Sequence, residues 1–123
     1  MNVNKCQKLS APWNSDKTWM TTPLIHFCGT GNLLIIKLLF LIGADCTKLC
    51  EDGFWFPMYA AATGNHLDIC KWLFEYGGDA KYQINKETSD GGTPLQTAYV
   101  AWRSGTDKEG KLCRWLLLNG AGQ

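Results

Sequence analysis

The side chains able to do chemistry in this 123-residue chain are six cysteines, two histidines and eleven carboxylates, and their spacing decides what they could do. Cys46 and Cys50 have the separation of a metal-ligand pair, and His66 and Cys70 lie four apart in a helical stretch. A structural zinc needs four such donors at tetrahedral geometry. The two pairs sit on different segments and Cys70 falls on an apolar helix face, so a thiol or metal site is the minor reading and no metal is expected. Gly29-Thr30-Gly31 ahead of a helix has a superficial likeness to a dinucleotide-binding turn. Leu34 stands where the third glycine is needed, however, and a helix rather than a strand precedes the turn. No serine sits in a Gly-x-Ser-x-Gly setting, and no Ser–His–Asp or Cys–His set comes from neighbouring rigid positions. Asp45, Asp68, Glu75 and Asp79 are scattered singly rather than paired across a cleft. The sequence reads as a non-enzyme with no cofactor.

The elements that position these residues centre on Phe56 to Ala80. Pro57 suits the first position of a short helix, where a missing N–H is harmless. Gly64-Asn65 breaks that helix, and Leu67 to Tyr76 forms a second one closed by Gly77-Gly78. Leu67, Cys70, Leu73 and Phe74 lie on one side of this second helix and Ile69, Trp72 and Tyr76 on another, so it must be sandwiched. The unit recurs upstream at Thr22 to Asp45, where Pro23, Lys37, Leu39 and Asp45 each precede their counterparts by 34 residues. A third copy opens at Asp90 and closes at Ala121. There Pro57 to Pro94 is 37 residues but Trp72 to Trp115 is 43, so six extra residues separate its two helices. Units too small to bury their own apolar faces, repeating at such a period, imply a stacked array. Cys28 takes the place of Ala62, and Cys70 and Cys113 that of Ile36, so all three read as small core residues.

Thr22-Pro23-Leu24, Thr93-Pro94-Leu95 and Gly43-Ala44-Asp45 resemble the Thr-Pro-Leu-His-x-Ala opening and Gly-Ala-Asp ending of ankyrin repeats. The resemblance covers roughly residues 19–123. It departs at Ile25, Tyr59 and Gln96, which replace the usual His, and at Phe56, which replaces the first Thr of the middle copy. It implies an all-α fold: an ankyrin-repeat solenoid of stacked helix-turn-helix units with short hairpin-like loops. The repeats would span about 19–51, 52–88 and 89–123, after an irregular N-terminal segment over 1–18. His66 matches a family histidine that braces neighbouring backbone.

Composition narrows the setting. A net charge of +1 with mixed signs gives no electrostatic reason to expect nucleic acid. The N-terminus lacks an apolar run of signal-peptide length. Leu33 to Ile42, interrupted by Lys37, falls well short of the ~20 residues that span a bilayer, so no membrane partner is expected. Cys6, Cys46 and Cys50 lie outside the helices, and the whole set reads as reduced thiols of a cytoplasmic or nuclear protein.

The chain around the repeats yields further expectations. Asn32 to Ile42 is apolar almost all round; either residues 1–18 cover it through Trp13, the preferred reading, or another molecule does. Asp52-Gly53 should turn the link before the middle repeat, leaving Phe54 and Trp55 to face a partner or to tuck onto that repeat. In the third copy, a helix from Pro94 to Arg103 should stop at Ser104-Gly105. Thr106 to Glu109 reads as a capping box for the next helix. Leu112, Leu116 and Tyr99 should lie on an uncovered outer face.

The resemblance implies a protein–protein interaction module whose concave face and loop tips bind a protein partner. The family's variable slots fall on Thr21, His26 and Thr30 in the first repeat, on Phe54, Trp55, Ala60 and Thr63 in the second, and on Thr97 and Ala101 in the third. The alternative is a structural assembly element that self-associates through its apolar first repeat and uncapped third repeat.

Overall fold

The computed structural model describes residues 2–50 and 54–123. Strands β1 (Gln7–Ala11) and β2 (Asn14–Thr21) lead into three helix pairs. The pairs are α1 (Pro23–Thr30) with α2 (Leu33–Leu41), α3 (Pro57–Thr63) with α4 (Leu67–Tyr76), and α5 (Pro94–Arg103) with α6 (Lys111–Leu118). A 3-10 helix, Gly78–Asn85, links the second pair to the third. The first helices of the three pairs stack in the order α1, α3, α5, with α3 packed between the other two.

Proline starts the first helix of each pair, and the caps explain why the chain turns there. The Thr22 hydroxyl accepts the Ile25 N–H, and Thr93 and Gln96 form a reciprocal capping box. Phe56, in the middle copy, supplies no side-chain cap. Its place is taken from a distance by Gln83, buried in the link. The Gln83 Oε1 accepts the Met58 N–H at 3.1 Å, while its Nε2 donates to the Cys46 carbonyl at 2.9 Å. One amide thus ties the start of α3 to the link before it. Ala60, Ala61 and Ala62 are all buried, so small side chains let α3 lie close to three neighbours. Ile36, Ile69, Leu73, Leu112 and Leu116 complete the interior from the second helices of the pairs.

Several expectations give way. Residues 1–18 are not irregular: β1 and β2 pair antiparallel from Gln7↔Thr21 to Ala11↔Asn14, with an irregularity at Ser10/Ala11, and β2 runs past position 18. The strands carry few apolar residues, so no alternation announced them; only Trp19 and Thr21 of β2 turn inward. A two-stranded sheet therefore accompanies the helices. Trp13 does not cover α2, whose Leu34, Leu38 and Leu41 stay exposed, because the hairpin lies against α1 instead. Cys6 and Cys50 are joined by a disulfide, Cα atoms 5.8 Å apart, which contradicts the reduced-thiol reading for that pair. Asn4 reinforces the same closure, donating to the Gly43 carbonyl and accepting from the Asp45 N–H.

The third repeat brings two more corrections. Thr106 to Glu109 forms turns rather than a capping box, since α6 begins only at Lys111. Buried Asp107 caps from outside, its carboxylate accepting the Leu112 N–H at 3.1 Å. Leu112 and Leu116 are fully buried; Tyr99 is exposed as expected, joined by Val100, Trp102 and Leu117. Among the described residues no strands build hairpins between the repeats. The expected Asp52-Gly53 turn lies outside the described residues.

Candidate partner-binding groove

The hairpin places aromatic side chains beside the first helices of the pairs. Trp13, at its turn, stacks on Trp55 with centroids 5.1 Å apart and planes 23° apart. Trp19 stands edge-on to both, at 5.4 Å from Trp13 and 4.9 Å from Trp55. Phe54 and Tyr59 extend the cluster from Trp55 at 5.1 and 5.4 Å. Edge-on and offset ring pairs are each worth about 0.5–1.5 kcal/mol beyond burial, so the cluster fixes the hairpin firmly. Glycine at position 29 makes the approach feasible: a Cβ there would come within 3.0 Å of both Pro12 and Trp19.

Polar contacts set the orientation. The Trp19 indole N–H donates to His26 Nδ1 at 3.2 Å, which requires that nitrogen to be unprotonated. Burial pushes the His26 pKa below its ordinary value, in keeping with the acceptor role. His66 Nε2 lies 3.1 Å from the Gly29 carbonyl, and with the proton on that nitrogen it braces the end of α1 from the second repeat. Gly31, at φ +93°, and Gly64 leave the room the His66 ring occupies; a Cβ at either would sit 2.6 or 2.5 Å from it. His66 therefore braces neighbouring backbone as expected.

Between the tryptophans and the C-terminal ends of α1 and α3 runs a groove of about 410 Å³. Trp13, Trp19 and Trp55 wall one side; Thr30, Ala60 and Thr63 line the other, with His66 also contributing. Among the described residues no carboxylate, lysine or arginine lines it. Of the anticipated slots, Thr30, Trp55, Ala60 and Thr63 converge here, although Ala60 is almost wholly buried and offers only floor. Thr97 continues the row, its hydroxyl donating to that of Thr63 at 3.2 Å, and half-buried Ala101 follows on α5. His26 is half-buried against Trp19. Phe54 and Trp55 are half-buried in the ring cluster rather than standing at a free loop tip. Thr21 is fully buried, its hydroxyl donating to the Thr22 carbonyl, so it offers no surface to the groove. Trp13 and Trp19 as groove walls were missed, because their approach to Trp55 depends on a hairpin that spacing did not reveal.

The cysteines offer no competing centre. Cys28, Cys70 and Cys113 are buried as expected, Cys50 is bonded to Cys6, and burial pushes the Cys46 thiol up to about 11. Among the described residues no three His, Cys, Asp or Glu side chains gather as a metal site.

Compared with known protein families, the chain matches the family described as ankyrin repeats (3 copies), over residues 2–83 and again over 24–122. The chain belongs to the ankyrin repeat family. No curated protein matches it. Ankyrin repeats are generally protein–protein interaction modules. No described helix is long and apolar enough to cross a membrane.

Proposed function

We propose that this ankyrin repeat protein binds a protein partner through the groove between its N-terminal hairpin and the ends of α1 and α3. The observation that carries this reading is the convergence of three tryptophans on one cleft beside Thr30 and Thr63. Aromatic side chains in such clefts dominate interface energetics. The indole walls and the alanine floor suit an apolar or aromatic partner segment whose polar groups meet the two hydroxyls. His26, Phe54 and Trp55 hold the wall in place, while Thr97 and Ala101 extend the contact along α5. Catalysis, nucleic acid and a membrane play no part in this reading.

Trp55→Ala would disturb the hairpin as well as the groove, so the sharper variant is Thr63→Arg at an exposed rim position. Partners captured from the native cell with the wild-type chain should be lost with Thr63→Arg, while its helical content and melting temperature stay unchanged. Undiminished capture by a folded Thr63→Arg variant would overturn the proposal. The setting proposed with it is cytoplasmic or nuclear. Buried free Cys28, Cys46, Cys70 and Cys113 support this, whereas the Cys6–Cys50 bridge bears against it, since a reducing cytosol opens such bonds. Thiol alkylation in freshly lysed cells, read at Cys6 and Cys50, decides between them.

A further inference from the structure

The repeats bury one another through the same slots at each junction. Phe40 of α2 meets Trp72 of α4 edge-on at 5.4 Å, and Phe74 of α4 meets Trp115 of α6 at 5.5 Å. Phe40 and Phe74 are 34 residues apart, and the 43 residues from Trp72 to Trp115 carry Phe74 onto Leu117. Leu117 stands in the slot of these two phenylalanines and is 54 % exposed. The first helices of the pairs tell the same story. Cys28 and Ala62, five residues after their prolines, are 0 % exposed, whereas Tyr99, in the same slot, is 51 % exposed. Leu95 takes the slot of fully buried Leu24 and Met58 yet is only partly covered. These residues, with Val100 and Trp102, line a cavity of about 580 Å³ on the outer side of the third repeat. It is one half of the junction that the first two repeats complete.

The other half is present at the opposite end. The slot of Trp72 and Trp115 falls in the first repeat on Leu38, which is 52 % exposed despite the N-terminal segment nearby. Ile35 holds the slot of buried Ile69 and Leu112 and is itself only partly covered. Neither half carries a charge in these slots. We propose that a second copy of this chain stacks head to tail on the third repeat, setting its Leu38 against Leu117 as Trp72 sits against Phe40. The matching slots of the second helices select this occupant, because α2 offers Ile35 and Leu38 where α4 and α6 offer Ile69, Trp72, Leu112 and Trp115 to their neighbours. Such a contact joins two different patches, so it propagates beyond two copies unless the rotation closes a ring. It is separate from the aromatic groove and leaves that groove open.

The test is sedimentation equilibrium of the whole chain over a wide concentration range, with Leu38→Arg and Leu117→Arg. Both positions are more than half exposed, so the variants keep the wild-type melting temperature. The wild-type mass should climb past that of a dimer, and each variant alone should remain monomeric, with association weakened at least tenfold. An equimolar mixture of the two variants should form a dimer and stop, because the pair retains one intact junction. Three results would overturn the proposal: a wild type monomeric at every concentration, a dimer indifferent to Leu38→Arg, or a mixture that fails to pair.

Discussion

Replacing Gln83 with methionine probes how the middle repeat is held. Met fills nearly the same volume but can neither accept the Met58 N–H nor donate to the Cys46 carbonyl, the two bonds Gln83 makes from a 5 % exposed position. A buried backbone group left without a partner costs about 1–3 kcal/mol. Two such groups, partly relieved by local adjustment, should remove about 2–4 kcal/mol of stability. In a chain of this size that lowers the melting temperature by about 8–16 °C. Urea titration followed by circular dichroism should show an earlier midpoint with an unchanged slope, the mark of altered stability rather than altered compactness. Gln83→Glu sharpens the test. Its carboxylate accepts from Met58 but repels the Cys46 carbonyl, and only the protonated acid can donate there. That variant should therefore recover part of its deficit as the pH falls through the carboxyl range. A Gln83→Met midpoint within error of wild type would refute the claim that this side chain replaces the missing threonine cap.

The disulfide closes a loop 44 residues apart in sequence, for which the chain-entropy model gives about 4 kcal/mol and experience 2–4. The double variant Cys6→Ser/Cys50→Ser should lose about 2–4 kcal/mol in urea titrations, and a reductant should destabilise wild type but not the variant. His26 should make stability depend on pH with a definite sign. Its folded pKa lies below the unfolded value of 6.5, so the unfolded chain binds the proton first on acidification. The stability is fully present above that value and is lost as pH falls through 6.5 to the folded pKa. His26→Gln should flatten this part of the profile, as read from melting temperatures across the range.

Legibility followed the range of the interactions. Proline at each first position, glycine after each helix and the 34-residue spacing are local signals, and the helices stand where those residues put them. His66 and the buried cysteines of the helices were readable because their slots recur. The hairpin was not readable, since Gln7, Lys8, Ser10, Asp16 and Lys17 give its strands no apolar alternation. Nor could spacing select Cys6 with Cys50 among six cysteines, because pairing reports how the ends of a loop meet in space. Leu112 and Leu116 were assigned to the wrong face of α6. Their slots do recur, however: they match Ile69 and Leu73 of α4, which are buried as well, so the repeat register places them in the core. The groove was half visible: Thr30, Trp55, Ala60 and Thr63 came from repeat slots, whereas its opposing wall came from the unseen hairpin.

The most direct measurement is amide hydrogen exchange on the chain alone and bound to a partner retained by wild type but lost with Thr63→Arg. Binding in the groove should slow exchange at residues 29–30 and 55–64 and leave the outer surface of α2 unchanged. Protection confined to α2 or to the outer side of the third repeat, with none at the groove, would contradict the account.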